Sequence, residues 1–116
     1  MRKKIYALVL LLVVSSVDAA EPETVMVTYR PSPGNDAKLE QVIRDHWATA
    51  TKLGLVDIDN PHVLIRNGKT YVEIFTWKDG DIPDNAPPEI LKIWGEMSKV
   101  TEKKDGIRID QVTMVK

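Results

Sequence analysis

The sequence predicts an α+β fold in which two helices cover one face of a four-stranded antiparallel sheet. Three observations predict it. An Asn-Gly pair between two alternating apolar runs marks a β-hairpin near the middle of the chain. Apolar residues at three- and four-residue spacing on both sides of the hairpin indicate two helices. One β-branched segment before the first helix and one after the second supply the remaining strands, which gives the ferredoxin-like order β-α-β-β-α-β.

The first strand and helix are predicted from propensity and capping. Thr24–Arg30 is rich in β-branched and aromatic residues, and the turn-forming Pro31–Gly34 follows it. A helix then begins near Asn35 or Asp36, either of which can cap its first amides, and it ends before Gly54. The apolar stripe of this helix contains Leu39, Ile43, His46, Ala50 and Leu53.

The hairpin is predicted to join Val63–Arg66 to Thr70–Trp77 through a type I′ turn at Asn67-Gly68, whose two residues both need positive φ. If Arg66 faces Lys69 across this turn, His62 lies directly opposite Glu73. That face of the hairpin also carries Tyr71, Phe75 and Trp77.

The second helix and the last strand follow a polar loop, Asp79–Pro88. The Pro87-Pro88 pair suits a helix start, because the first helical amides need no partner. Ile107–Val115 alternates as a last strand. The stripe of the second helix contains Ile90, Ile93, Met97 and Val100, with Trp94 at its edge.

The face of the sheet that the helices leave open is predicted to be aliphatic. Such a face is expected to pair with another surface, most simply a second copy of the chain, so we expect a homodimer formed through the sheet. The hairpin residues on that face are Val63, Ile65, Val72 and Ile74.

The first 19 residues are predicted to be a cleavable signal peptide. Arg2–Lys4 is basic, Ile5–Val14 is uncharged, and Val17 and Ala19 are small residues at the positions that a signal peptidase reads. An uncleaved anchor is the alternative, but residues 5–17 fall short of the ~20 that span a bilayer. We therefore expect residues 20–116 to be a single exported domain, periplasmic or secreted, without a membrane segment.

The composition of residues 20–116 excludes several function classes. After cleavage the domain has 13 Lys and Arg and 16 Asp and Glu, so it is slightly acidic. Proteins that bind nucleic acid present a basic surface instead. The chain has no cysteine, so it folds without disulfides. No phosphate-binding loop, paired-carboxylate site or Ser-His-Asp arrangement is present, and we expect no cofactor and no metal. Two histidines and one carboxylate leave a metal site open as an alternative.

Aromatic and ionisable residues are predicted to converge between the helices and the sheet, as in a pocket for a small hydrophobic or aromatic molecule. In an enzyme, His46 or His62 would be the general base and Glu73 would orient and charge-stabilise it. The alternative is a non-catalytic binding or assembly module in which these residues pack the core. The expected substrate-binding residues are Tyr29, Tyr71, Phe75, Trp77 and Trp94.

The chain resembles the dimeric α+β barrel superfamily, in particular its antibiotic-biosynthesis-monooxygenase-like domains. The resemblance covers essentially all of residues 20–116. It is carried by Tyr29-Arg30-Pro31, by the strand Tyr71–Trp77 with Lys78-Asp79 after it, and by the stretch from Pro83 to Trp94. It implies dimerisation through the sheets and a ligand site between sheet and helices. Enzymes of this superfamily include cofactor-independent oxygenases of aromatic polyketides and haem-degrading monooxygenases.

The haem-degrading branch is a poor match for this chain. Trp77 corresponds to its pocket tryptophan, but that branch also uses an asparagine on the first strand and a histidine on the second helix. Tyr29 holds the first-strand position here, and residues 88–104 contain no histidine. The resemblance therefore implies a cofactor-independent monooxygenase-like activity more than haem degradation.

Overall fold

A computed structural model describes residues 21–115. The predicted signal peptide lies outside the described residues. The elements occur in the predicted order, with a 3₁₀ turn before the second helix: β1 Glu23–Tyr29, α1 Asp36–Lys52, β2 Val63–Asn67, β3 Thr70–Trp77, the 3₁₀ turn Pro83–Asn85, α2 Pro88–Lys99 and β4 Ile107–Gln111.

The four strands form one antiparallel sheet in the order β2-β3-β1-β4, which confirms the predicted α+β fold. The prediction that β4 extends to Val115 is wrong. Gln111 pairs with Val25, and the Val112 amide donates to the Thr24 carbonyl. Because β1 begins at Glu23, it offers almost no backbone beyond this point for a longer β4 to bond.

The hairpin between β2 and β3 forms with a different register from the predicted one. Asn67 pairs with Thr70 and Leu64 with Glu73, so the loop residues are Gly68 and Lys69. Of these four turn residues only Gly68 has a positive φ, of 61°, which is the pattern of a type II′ turn with glycine in its first central position. The type I′ turn and the direct pairing of His62 with Glu73 are therefore wrong.

Both helices lie on one face of the sheet. The side chains of β1 that point toward them, Val25, Val27 and Tyr29, are buried, and those between are only half-buried. The prediction that Leu53 belongs to the apolar stripe of α1 is wrong. The helix ends at Lys52, so Leu53 follows it and is 38% exposed.

The opposite face of the sheet carries the predicted aliphatic residues of the hairpin, together with threonines of β1 and β3 and the charged Arg108 and Asp110 of β4. Ile65 on β2 is 48% exposed, whereas Thr24 and Thr76 share a hydrogen bond of 2.7 Å between their hydroxyls. Pairing of this face with a second copy stays a prediction.

Candidate functional site

A cavity of about 480 Å³ lies between the helix-covered face of the sheet and α2. Most of its wall is apolar, because β1, β3 and β4 turn their inward side chains toward it. The residues that line it come from all three strands, from both helices and from the loop after β3: Glu23, Val25, Val27, Tyr29, His46, Phe75, Trp77, Gly80, Pro83, Asp84, Trp94, Met97, Ile107 and Ile109.

His46 is the polar side chain that α1 contributes to this cavity. It lies on the buried stripe of the helix and is only 3% exposed. Its imidazole meets Phe75 and Trp77 edge to face, with ring centroids 5.8 and 6.0 Å away. The indole N–H of Trp94 donates to Nε2 of His46 over 3.0 Å, which joins α1 to α2.

The two ring nitrogens of His46 have different surroundings. Nε2 accepts from Trp94, whereas Nδ1 is buried and has no hydrogen-bond partner within the described part of the chain. Burial lowers the pKa of His46, and the neighbouring His62 lowers it further, while the Glu73 carboxylate opposes both. A neutral imidazole whose Nε2 accepts must carry its proton on Nδ1. The Nδ1–H of His46 is therefore a buried donor without a partner among residues 21–115.

A second polar group stands behind the wall formed by Tyr29. The fully buried carboxylate of Glu73 accepts from the Tyr29 hydroxyl at Oε1 over 2.7 Å and bonds Nε2 of His62 through Oε2 over 2.8 Å. Burial raises the pKa of Tyr29 well above its ordinary value, and the charge of Glu73 raises it further. Tyr29 is therefore a neutral hydrogen-bond donor that satisfies one oxygen of a buried anion.

His62 closes this chain of contacts toward solvent, with its side chain 18% exposed. Its ring lies flat on Trp47 of α1, with centroids 4.0 Å apart and an angle of 4° between the planes. Glu73 and His62 still meet although the predicted register is wrong, because a shift of two positions leaves them diagonal neighbours on the same face.

The structure thus divides the predicted site residues into two groups. His46, Tyr29, Phe75, Trp77 and Trp94 line the cavity together. The other three do not line it: Glu73, His62 and Tyr71.

Tyr71 does not line the cavity, because its hydroxyl is held against the first turns of α1. It accepts from the Arg66 guanidinium over 2.9 Å and donates to Glu40 of α1 over 3.2 Å. Arg66 also pairs with Asp36 at the start of α1. These contacts join β2 and β3 to the first turns of α1.

Besides Glu23 and the loop residues Gly80, Pro83 and Asp84, sequence reasoning missed two groups in or beside the site. The first is the apolar wall from β1, α2 and β4, of which Ile107 and Ile109 remain partly exposed at 37% and 65%. The alternation of β4 and the stripe of α2 were the available signals. The second is Trp47, which follows His46 directly and lies beside the apolar stripe, where spacing alone does not select it.

The alternative of a metal site has no candidate ligands among residues 21–115, because no three His, Cys, Asp or Glu side chains lie close enough together to hold a metal ion. Within the same residues, neither helix has the length and apolar character needed to cross a membrane.

Comparisons with known proteins identify structural neighbours only. No family model and no curated protein matches the sequence. SnoaB of Streptomyces nogalater, a cofactor-independent oxygenase, is 20% identical with a TM-score of 0.64 over 84% of this chain and 96% of its own. Rv0793 of Mycobacterium tuberculosis is 11% identical with a TM-score of 0.65, over 83% of this chain and 97% of its own.

A third solved structure, described as an antibiotic biosynthesis monooxygenase, is 12% identical with a TM-score of 0.62, over 80% of this chain and 98% of its own. At these identities the likeness is one of fold. The described residues therefore have the fold of the antibiotic-biosynthesis-monooxygenase-like proteins, as the sequence resemblance implied.

Proposed function

We propose, from the fold that this chain shares with antibiotic-biosynthesis-monooxygenase-like proteins, that it is an exported protein that binds one small, partly aromatic molecule and has monooxygenase-like activity toward it. The observation that carries the proposal is the cavity beside His46, whose wall is apolar except for a few polar groups. Fold alone does not assign an activity, so the argument rests on this site.

The size and lining of the cavity suit a molecule of a few fused rings. A volume of about 480 Å³ lies in the range of about 300–1,000 Å³ that is usual for small-molecule sites. Phe75 and Trp77 meet edge to face at 4.9 Å, and Trp77 meets Trp94 in the same way at 6.4 Å. Their rings offer faces and edges against which a flat aromatic ligand packs.

We infer for His46 a role different from that of a general base. Its Nε2 lone pair is occupied by the Trp94 N–H, and its Nδ1 holds the proton. In this state His46 has no free lone pair with which to take a proton from a ligand, and its role is to form part of the wall of the ligand site. Glu73 acts on it through its charge from behind the wall.

The alternative of a non-catalytic binding module is favoured by one observation. Neither Glu73 nor His62, the groups expected to assist catalysis, reaches the cavity. Binding and turnover therefore have to be measured separately.

Anthrone is a suitable probe for both, because it is a flat aromatic ketone whose methylene carbon is oxidised by O₂ to anthraquinone and water. Binding to residues 20–116 is followed by quenching of tryptophan fluorescence, and turnover by O₂ consumption with anthraquinone absorbance. We expect saturable quenching and one O₂ consumed per anthraquinone formed, both weakened in His46→Leu and kept in Trp47→Phe. Quenching without O₂ consumption would support the binding module. Absence of both would overturn the proposal.

A further inference from the structure

We infer that the bonded pair of His46 and Trp94 is a proton-controlled gate of the cavity: when His46 becomes an imidazolium in acid, the indole of Trp94 leaves it and opens the wall on the α2 side. The release of a bound ligand by this opening rests on the proposed function, since it concerns the molecule in that same cavity. Three observations carry the inference: the direction of the bond, the lack of an acceptor for an imidazolium and the partial exposure of Trp94.

The direction of the bond is the first of these observations. The indole N–H of Trp94 is a donor only, so it bonds Nε2 of His46 over 3.0 Å only while that nitrogen keeps its lone pair. Nδ1 carries the proton of the neutral ring, so a further proton has to bind at Nε2. Two N–H groups would then face each other, and the bond that joins α1 to α2 would be lost.

The second observation is that the closed site offers no acceptor to an imidazolium. His46 is only 3% exposed, its Nδ1 has no hydrogen-bond partner among residues 21–115, and its Nε2 faces a donor. A buried charge without hydrogen-bond partners is strongly unfavourable. The protonated ring is therefore stable only where water reaches it, which requires part of the wall to move.

The charged groups around His46 do not remove this cost. The rings that meet it from β3 and α2 are uncharged. Glu73 of β3 favours the imidazolium through its charge, but both of its oxygens already bond other side chains, and His62 before β2 acts in the opposite direction. Burial outweighs Glu73, so the pKa of His46 is lowered overall. The other titratable groups that line the cavity are Glu23, Tyr29 and Asp84.

The partial exposure of Trp94 decides which part of the wall moves. Phe75 and Trp77, the other rings against His46, are 2% and 4% exposed and belong to the core. Trp94 is only half-buried, on the outer layer formed by α2, and its side chain lines the cavity. Rotation of this one side chain admits water to His46 and removes part of the ligand site.

The gate is tested first without a ligand, in residues 20–116 between pH 7.5 and pH 4.5. NMR follows the indole N–H of Trp94, assigned with Trp94→Phe, and the imidazole C–H groups of His46. We expect the Trp94 proton to move upfield as its bond is lost, with the same pH midpoint as His46, and the indole N–H groups of Trp47 and Trp77 to move less. A Trp94 midpoint different from that of His46, or global unfolding before Trp94 moves, would overturn the inference.

His46→Gln is the matched control. The side-chain amide of glutamine reaches the position of Nε2, where its oxygen accepts from Trp94 and does not titrate. All other titratable groups near the cavity remain in this variant, so their contributions are the same in both proteins. We expect no acid shift of the Trp94 resonance in His46→Gln, and a shift as large as that of the wild type would contradict the gate. Should this variant not fold, the comparison of midpoints in the wild type decides alone.

The release of a ligand is tested with anthrone, which stays uncharged over this range, by fluorescence quenching in the absence of O₂. We expect its affinity for the wild type to weaken by about 3-fold or more from pH 7.5 to pH 4.5, within the limit of about 10-fold per pH unit for one proton, and to stay constant in His46→Gln. If anthrone binds the wild type equally well at both pH values, the inference is overturned and the proposed function stands. If anthrone binds at neither pH while Trp94 and His46 titrate together, the gate stands and the proposed function fails.

Discussion

The hydroxyl of Tyr29 and the carboxylate of Glu73, 44 residues apart in the sequence, share a hydrogen bond of 2.7 Å in the interior of the protein. The ring of Tyr29 is part of the cavity wall, and Glu73 lies behind it without exposure to solvent. This bond therefore links the candidate ligand site to a buried negative charge, which in turn influences His46.

Replacing Tyr29 by phenylalanine should change stability in alkaline solution. Because the pKa of Tyr29 is raised in the folded protein, the unfolded chain releases this proton near pH 10 while the folded protein keeps it. The contribution of Tyr29 to the free energy of unfolding is complete below that pH and is lost as the pH rises above it. Urea unfolding at pH 8 and pH 11 should show a smaller alkaline loss for Tyr29→Phe than for the wild type. Equal losses would contradict the assignment.

Replacing Glu73 by glutamine should lower the pKa of His46 further. The carboxylate charge of Glu73 opposes the effect of burial on His46, and glutamine keeps the shape but not the charge. Titration of the imidazole C–H resonances by NMR measures the change. Glu40→Gln, which removes a carboxylate on the outer part of α1, is the matched control and should leave His46 unchanged. A higher His46 pKa in Glu73→Gln would refute this coupling.

Replacing Trp94 by phenylalanine should destabilise the protein by about 1–3 kcal/mol, because it leaves Nε2 of His46 buried without a donor. Urea unfolding measures the loss. Trp47→Phe is the control, since Trp47 meets His62 through ring stacking, which phenylalanine retains in part. A Trp94→Phe protein as stable as Trp47→Phe would show that the bond contributes little.

Acidification should destabilise the protein through His46. Folding lowers the pKa of His46. Below about pH 6.5, His46 therefore binds a proton in the unfolded chain but stays neutral in the folded protein. The free energy of unfolding then falls with pH by at most about 1.4 kcal/mol per pH unit for this one group. His46→Asn should reduce the difference in stability between pH 7.5 and pH 5.5. Glu73 and His62 face His46 and remain in both proteins, so an unchanged difference would exclude His46 as its source.

The order of elements was predictable from the sequence because each element carries its own local signal. The hairpin shows that such local signals do not define the turn type or the register. Asn67-Gly68 marked the turn, but the positive φ belongs to Gly68 alone, and the register moved by two positions. Since side chains alternate with a period of two, the shift kept His62 and Glu73 on one face, and their contact survived.

The sequence did not predict which of the candidate site residues line the cavity. Tyr29 and Tyr71 pair across β1 and β3, yet only Tyr29 lines the cavity. The difference depends on where α1 and α2 leave space above the sheet, which spacing along one element does not define. The bond between His46 and Trp94 likewise joins side chains 48 positions apart, through the packing of two helices.

The central claim is that His46 is a neutral imidazole with its proton on Nδ1, and the nitrogen resonances of the ring test it most directly. In uniformly ¹⁵N-labelled residues 20–116 at pH 7.5, two-bond ¹H–¹⁵N correlation spectra distinguish a protonated ring nitrogen from an unprotonated one. We predict a protonated Nδ1 and an unprotonated Nε2. A proton on Nε2, or a doubly protonated ring, would contradict the claim.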